Sequence, residues 1–240
     1  MRRAIALALL LLVATFGPVA ASETRDDAYA EWADQDYCEY FEQTGNYLCF
    51  GFKDYWHDYG GLEIFGYPIT NEMQEDGTTV QYFERARFEW HPGAWPERHD
   101  VLQGLLGVEV SMHMDDHDAF DSVEKAKGHC EYFAATGHNV CDEFLKRWAM
   151  SGGLPVFGYP ISEAFVNDEG MFVQYFERQR MEHQPGVWPE RHDVLLGLLG
   201  VDVWENVKPP EPEPQPELTV VAGDLVQPRG VLASDHGIYV

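Results

Sequence analysis

The chain has 240 residues, 16 basic and 41 acidic, and is 45% hydrophobic and 14% aromatic. A formal charge of −25 repels nucleic-acid phosphates and anionic lipid, which excludes nucleic acid as a partner, while the apolar content suffices for packed cores. The first 21 residues read as an export signal: Arg2 and Arg3, an apolar run from Ala4 to Phe16, then the small residues Val19, Ala20 and Ala21. That run of about 13 residues is shorter than the roughly 20 needed to span a bilayer. The expectation is a mature chain starting at Ser22, with no membrane insertion after cleavage, located outside the cell or in its envelope. Cleavage leaves 14 basic against 41 acidic residues, a formal charge of −27.

After a mature N-terminal segment, residues 22–37, the cysteines fall in two evenly spaced pairs, Cys38 with Cys49 and Cys130 with Cys141. In an exported chain such pairs read as two local disulfides. His138 lies between the second pair and keeps zinc as an alternative there, but the first pair has Asn46 at that place.

Laid on itself at an offset of 92, the chain repeats. Cys38-Glu39-Tyr40-Phe41 meets Cys130-Glu131-Tyr132-Phe133, and Phe65-Gly66-Tyr67-Pro68-Ile69 meets Phe157-Gly158-Tyr159-Pro160-Ile161. One inserted residue later, Val80-Gln81-Tyr82-Phe83-Glu84-Arg85 meets Val173-Gln174-Tyr175-Phe176-Glu177-Arg178, and Trp95 to Leu102 meets Trp188 to Leu195. The pattern predicts two modules, residues 38–110 and 130–203, joined by a connector over 111–129.

Within each copy the elements read in order. Leu48, Phe52, Trp56 and Tyr59, with Val140, Phe144 and Trp148, recur at helical spacing, with Asn46 and Asn139 as N-caps and the following Gly pairs as helix ends. Cys49 and Cys141 would then staple the first helical turn. Trp56 and Trp148 fall on the core stripe. A hairpin is expected to turn at Arg85-Ala86 and Arg178-Gln179, while Val101 to Gly107 and Val194 to Gly200 carry no assignable pattern. Each module is therefore α+β, a helix plus a β-hairpin with a local disulfide. A Pro/Glu linker follows at 204–217, and residues 218–240 read as the start of a β-propeller-like domain that ends as an incomplete blade.

The strings Thr136-Gly137-His138, Gly152-Gly153-Leu154, Phe157 to Ile161, Val173 to Arg178 and Leu196 to Gly200 resemble tandem repeats of secreted bacterial envelope proteins of undetermined activity. More distantly they resemble the LGFP repeats linked to cell-wall attachment. Pro228-Arg229-Gly230 and Asp235 to Val240 resemble the first blade of an NHL or ScyD/ScyE type β-propeller. The resemblance implies an export signal, two repeats, a spacer and a propeller.

No nucleophile elbow, helical zinc-protease motif, phosphate loop or dinucleotide fingerprint is present, so no catalytic residue and no cofactor is expected. The acidic pairs Glu84 with Glu89 and Glu177 with Glu182 have the chemistry of a glycosidase couple, but a hairpin position explains them through cross-strand charge pairing. The run Met112 to Asp118 is rich in His and Asp yet lacks the Gly and terminal Glu of a calcium loop. Aromatic rings in loops are the best candidates for ligand contact, because they stack on sugar faces with their polar edges hydrated. Tyr67 and Tyr159 in Gly-Tyr-Pro turns, and Trp95, His99, Trp188 and His192 in the Trp-Pro-Glu-Arg-His-Asp loops, form the expected ligand-binding set. The expected function is non-enzymatic binding of a cell-wall polymer or polysaccharide at two equivalent sites, or tethering of an attached domain at the envelope. The alternatives are an appendage of a secreted β-propeller and a purely structural stalk.

Overall fold

The computed structural model describes residues 25–114, 116–125, 128–187 and 193–208, with the pairs 233–234 and 237–238. The expected export signal, most of the expected Pro/Glu linker and propeller-like start, and Trp188 and His192 lie outside the described residues. The chain divides into two units, Met1–Val207 and Lys208–Val240. In the second, β13 (Ala233–Ser234) pairs antiparallel with β14 (Gly237–Ile238).

The first unit is α+β. Helix α1 (Arg25–Asp34) precedes a hairpin of β1 (Cys38–Phe41) and β2 (Asn46–Cys49). Then come α2 (Phe50–Asp58), the one-turn α3 (Gly61–Ile64) and an antiparallel meander of β3 (Met73–Glu75), β4 (Thr78–Tyr82), β5 (Arg87–Trp90) and β6 (Val101–Gln103). Helix α4 (Leu106–Ser111) closes this half. The same order recurs in β7 (Cys130–Phe133), β8 (His138–Cys141), α5 (Asp142–Met150), α6 (Leu154–Phe157), β9 (Phe165–Val166), β10 (Phe172–Tyr175), β11 (Arg180–His183), β12 (Val194–Leu196) and α7 (Leu199–Val207).

Several sequence expectations are corrected. Leu48 and Val140 lie in strands, not helices, and both are fully buried. Alternation along a short strand happened to match the four-residue spacing of the helix that follows. Asn46 and Asn139 are strand residues, and the helix N-caps are Cys49 and Cys141. The disulfides Cys38–Cys49 and Cys130–Cys141 join directly opposed residues of each hairpin, so they staple two strands and not a helix to a strand. The expected hairpin is there but belongs to a four-stranded sheet, turning through residues 83–86. Val101 to Gly107 becomes β6 and the start of α4, and residues 25–34 of the N-terminal segment form a helix.

A buried amide ties each sheet to its hairpin. Gln81 Nε2 donates to Tyr47 O at 2.7 Å and Thr70 O at 2.8 Å, and Gln174 Nε2 donates to Asn139 O and Ser162 O at the same distances. Each glutamine is completely buried, where an unpaired amide would cost about 1–3 kcal/mol.

The two halves share one core, in which Phe41, Phe52, Phe65 and Phe88 join Phe133, Phe144, Phe157 and Met181. Their terminal helices are exchanged. Val108 N in α4 donates to Glu177 O, and Val201 N in α7 donates to Glu84 O, both at 3.2 Å. Such reciprocity is the signature of an approximate two-fold relation between like surfaces. Leu106, Leu199 and Val203 then pack with Val80 and Tyr82 in a second apolar cluster.

One buried position differs between halves in charge. His138 is 3% exposed, with Nδ1 3.5 Å from Glu163 Oε1, where the first half has the neutral pair Asn46 and Asn71. Burial pushes the His138 pKa below the ordinary 6.5, against the opposing pull of Glu163. A histidine with a lowered folded pKa contributes stability that is complete above pH ~6.5 and declines as pH falls below it toward the folded value. His138→Asn should therefore flatten the fall in unfolding temperature between pH 7.5 and pH 5, as followed by circular dichroism. An equally steep fall in the variant would assign that acid sensitivity to other groups.

Candidate functional site

The register of the first hairpin creates an aromatic face. Because Cys38 sits opposite Cys49, the next residues outward, Tyr37 and Phe50, are brought side by side, and Phe50 N donates to Tyr37 O at 2.9 Å. Their rings lie 5.8 Å apart and 25° from parallel, and Trp32 of α1 packs its edge on Phe50 at 5.3 Å. Trp90, at the end of β5, completes the face across a hollow of about 330 Å³ that Phe50, Glu72 and Thr79 also line.

Tyr37, Phe50 and Trp90 are 51%, 45% and 47% exposed. Burying such rings in the adjacent core would be favourable, so three exposed together form a patch of the kind that marks an interaction site. Phe50 is held at φ 47°, as is Asp142 at the same place in the second half, so this backbone belongs to the shared scaffold and the bulky ring is what the first half adds to it. The disulfide beneath it, with Tyr29 of α1 buried against Cys38 and Cys49, keeps the hairpin in this register.

The second half keeps the scaffold and loses the face. At the positions of Tyr37, Phe50 and Trp90 it carries His129, Asp142 and His183. His129 Nδ1 stands 3.9 Å from Asp142 Oδ1, an exposed polar pair where the first half has stacked rings.

The residues expected from sequence occupy other places. Tyr67 and Tyr159 are half-buried, with ring edges on Phe41 at 5.9 Å and Phe133 at 6.2 Å. Their backbone N–H groups donate to Glu84 Oε2 at 3.1 Å and Glu177 Oε2 at 3.0 Å. Glu84 and Glu177 thus order the Gly-Tyr-Pro turns. Glu89 and Glu182 pair with Arg87 and Arg180 along their own strands, a contact two residues away and not the cross-strand pairing expected from sequence. Arg87 also reaches Glu109 of α4 through two hydrogen bonds.

Trp95 is 40% exposed, and the Arg98 guanidinium lies over its ring at 4.4 Å and over that of Tyr59 at 4.5 Å. His99 sits at φ 56°, and its Nε2 lies 3.0 Å from Asp58 Oδ2, which fixes the loop to α2. Trp188 and His192 fall outside the described residues. Among the described residues no three His, Cys, Asp or Glu side chains converge as a metal would require.

Phe50 and Trp90 escape a reading that looks for aromatics in loops, because they sit at the start of α2 and the end of β5. The signal that finds them is the contrast between copies, aromatics that one copy has and the other replaces by polar residues. A scan against protein-family models matches none, and a search of curated proteins returns no match, so the reading of this site rests on its geometry.

Proposed function

We propose that the protein is an exported, non-enzymatic binder of a cell-wall polymer or polysaccharide, engaged through the aromatic face of the first half. The observation that carries this reading is the exposed set Tyr37, Phe50 and Trp90, in which Phe50 and Trp90 line one hollow and Tyr37 stacks on Phe50, and whose three positions are polar in the second half. Flat rings with accessible faces match the apolar faces of sugar rings. The two disulfides fit an oxidising compartment, and no helix among the described residues is long and apolar enough to cross a membrane.

In this reading the chain is a duplicated module of the envelope-repeat type whose second copy serves as a scaffold partner for the first. Trp95, with Arg98 stacked on it, supplies a further exposed aromatic on the same half. Residues 204–207, expected to begin the Pro/Glu linker, instead end α7, where Trp204 packs on Tyr82; the Pro/Glu run after the helix would serve as the tether of an attached domain.

The test is retention of the exported chain, from Ser22 onward, on insoluble peptidoglycan, cellulose and chitin. The comparison is the double variant Phe50→Asp and Trp90→His, which places the second half's residues on the first. Aspartate tolerates the positive φ at position 50 better than phenylalanine does, so folding is expected to survive. Retention of the wild type with loss of about tenfold or more in the variant supports the reading. Equal retention of both would reject the aromatic face, and no retention on any matrix would favour the structural stalk.

A further inference from the structure

The two-fold relation creates two crevices between the halves, and only one is closed. In the closed one, Gln103 Nε2 donates to Tyr55 Oη at 3.0 Å and reaches Pro155 O at 3.5 Å, a neutral seal. At the related place the same three positions are Leu196, Arg147 and Glu63. There a cleft of about 770 Å³ stands open.

Arg147 lines this cleft and is only 4% exposed. Its Nη1 donates to Glu63 Oε1 at 2.7 Å, while its Nε is buried with no hydrogen-bond partner. A buried guanidinium has five donors to satisfy, and replacing a Tyr–Gln seal by an ion pair held through one bond gains nothing for packing. Leu62, Leu195, Leu198 and Tyr67 supply an apolar wall, and Leu62 and Leu198 are 44% and 45% exposed. The other carboxylates of the cleft, Glu84 and Glu182, are already paired with Arg85 and Arg180.

We propose that this cleft is a second binding site, taking a monocarboxylate carried on an apolar body, with Arg147 as the carboxylate anchor and the leucine wall covering the apolar part. A carboxylate supplies the acceptor that Arg147 lacks, and pairing a planar guanidinium with a carboxylate is the strongest such match. With Glu63, Glu84 and Glu182 beside Arg85 and Arg147 the lining is itself slightly acidic, so the ligand is restricted to a single negative charge placed at the unsatisfied guanidinium, and a dianion is excluded. The chemistry is shared by a fatty acid and by the C-terminus of an apolar peptide. The inference stands on the cleft alone and does not rest on polysaccharide binding.

Isothermal titration of the exported chain with octanoate and with a short peptide ending in leucine tests it, against octanol and the amidated peptide as controls. One site per chain is expected, with each neutral control weaker by about tenfold or more. Binding should vanish in the triple variant Arg147→Tyr, Glu63→Pro, Leu196→Gln, which installs the sealed crevice. It should also vanish in Leu198→Glu, a change at a half-exposed position that leaves the core intact. The Phe50→Asp, Trp90→His variant should bind octanoate as the wild type does. Whichever carboxylate binds more tightly identifies the source. Absence of binding by both carboxylates, equal binding of the acid and its neutral control, or undiminished binding in a folded Leu198→Glu variant would overturn the proposal.

Discussion

Replacing Gly200 by alanine is expected to destabilise the protein by about 3 kcal/mol or more, although alanine is ordinarily the better helix residue by about 1 kcal/mol. A Cβ at Gly200 would lie 1.8 Å from Phe83 O, with Ala86 O at 2.9 Å. Both are backbone atoms of the tight turn between β4 and β5, so no side chain can rotate away, and relief requires the helix to leave the other half. Gly107 is the mirror case, 1.8 Å from Phe176 O. Either substitution pulls α4 and α7 from their exchanged seats, exposing the cluster around Leu106, Leu199 and Tyr82. Urea unfolding followed by tryptophan fluorescence would measure it. A loss under about 1 kcal/mol would mean that the halves are held by something other than these close helix–turn contacts.

Removing the first disulfide is expected to cost about 3 kcal/mol, the loop-closure value for cysteines 11 residues apart. The consequence extends to function. Tyr37 and Phe50 flank Cys38 and Cys49 in register, so loosening that rung lets the ring pair separate. Cys38→Ala with Cys49→Ala should therefore lose both thermal stability and retention on polysaccharide. Cys130→Ala with Cys141→Ala should lose similar stability and retain binding, because its flanking residues are His129 and Asp142. Melting curves beside the retention assay distinguish the two. Equal loss of binding in both double variants would show that the assay reports folding and not the face.

Much of the fold was legible as sequence. The spacing of the cysteines implied the two disulfides, the Gly pairs ended helices where positive φ is required, and Val-Gln-Tyr-Phe-Glu read as a strand leading into a turn. Two things were hidden for physical reasons. Strand residues such as Leu48 and Val140 are buried beside a helix, so one apolar period blends into the other at the Cys49 and Cys141 junctions. The exchange of α4 and α7 depends on glycines whose meaning is a distance to another chain segment, which no local pattern records.

The candidate site was less legible because loop and turn aromatics are the ones expected to be exposed, whereas Phe50 and Trp90 sit at element ends. Trp95 and Tyr67 recur in both copies, and recurrence is what a shared scaffold produces. Tyr67 accordingly packs on the core, and Trp95 stacks in its own loop. The residues that differ between copies, Phe50 against Asp142, Trp90 against His183 and Tyr55 against Arg147, are where a duplicated scaffold is free to specialise.

That one half binds while the other supports it is tested most directly by hydrogen–deuterium exchange of the chain from Ser22 onward, with and without a soluble oligosaccharide from the retaining polymer. Protection is expected over residues 37–52 and 88–91 and not over the corresponding 129–144 and 181–184. Equal protection of both sets, or protection confined to the loop around Trp95, would contradict it.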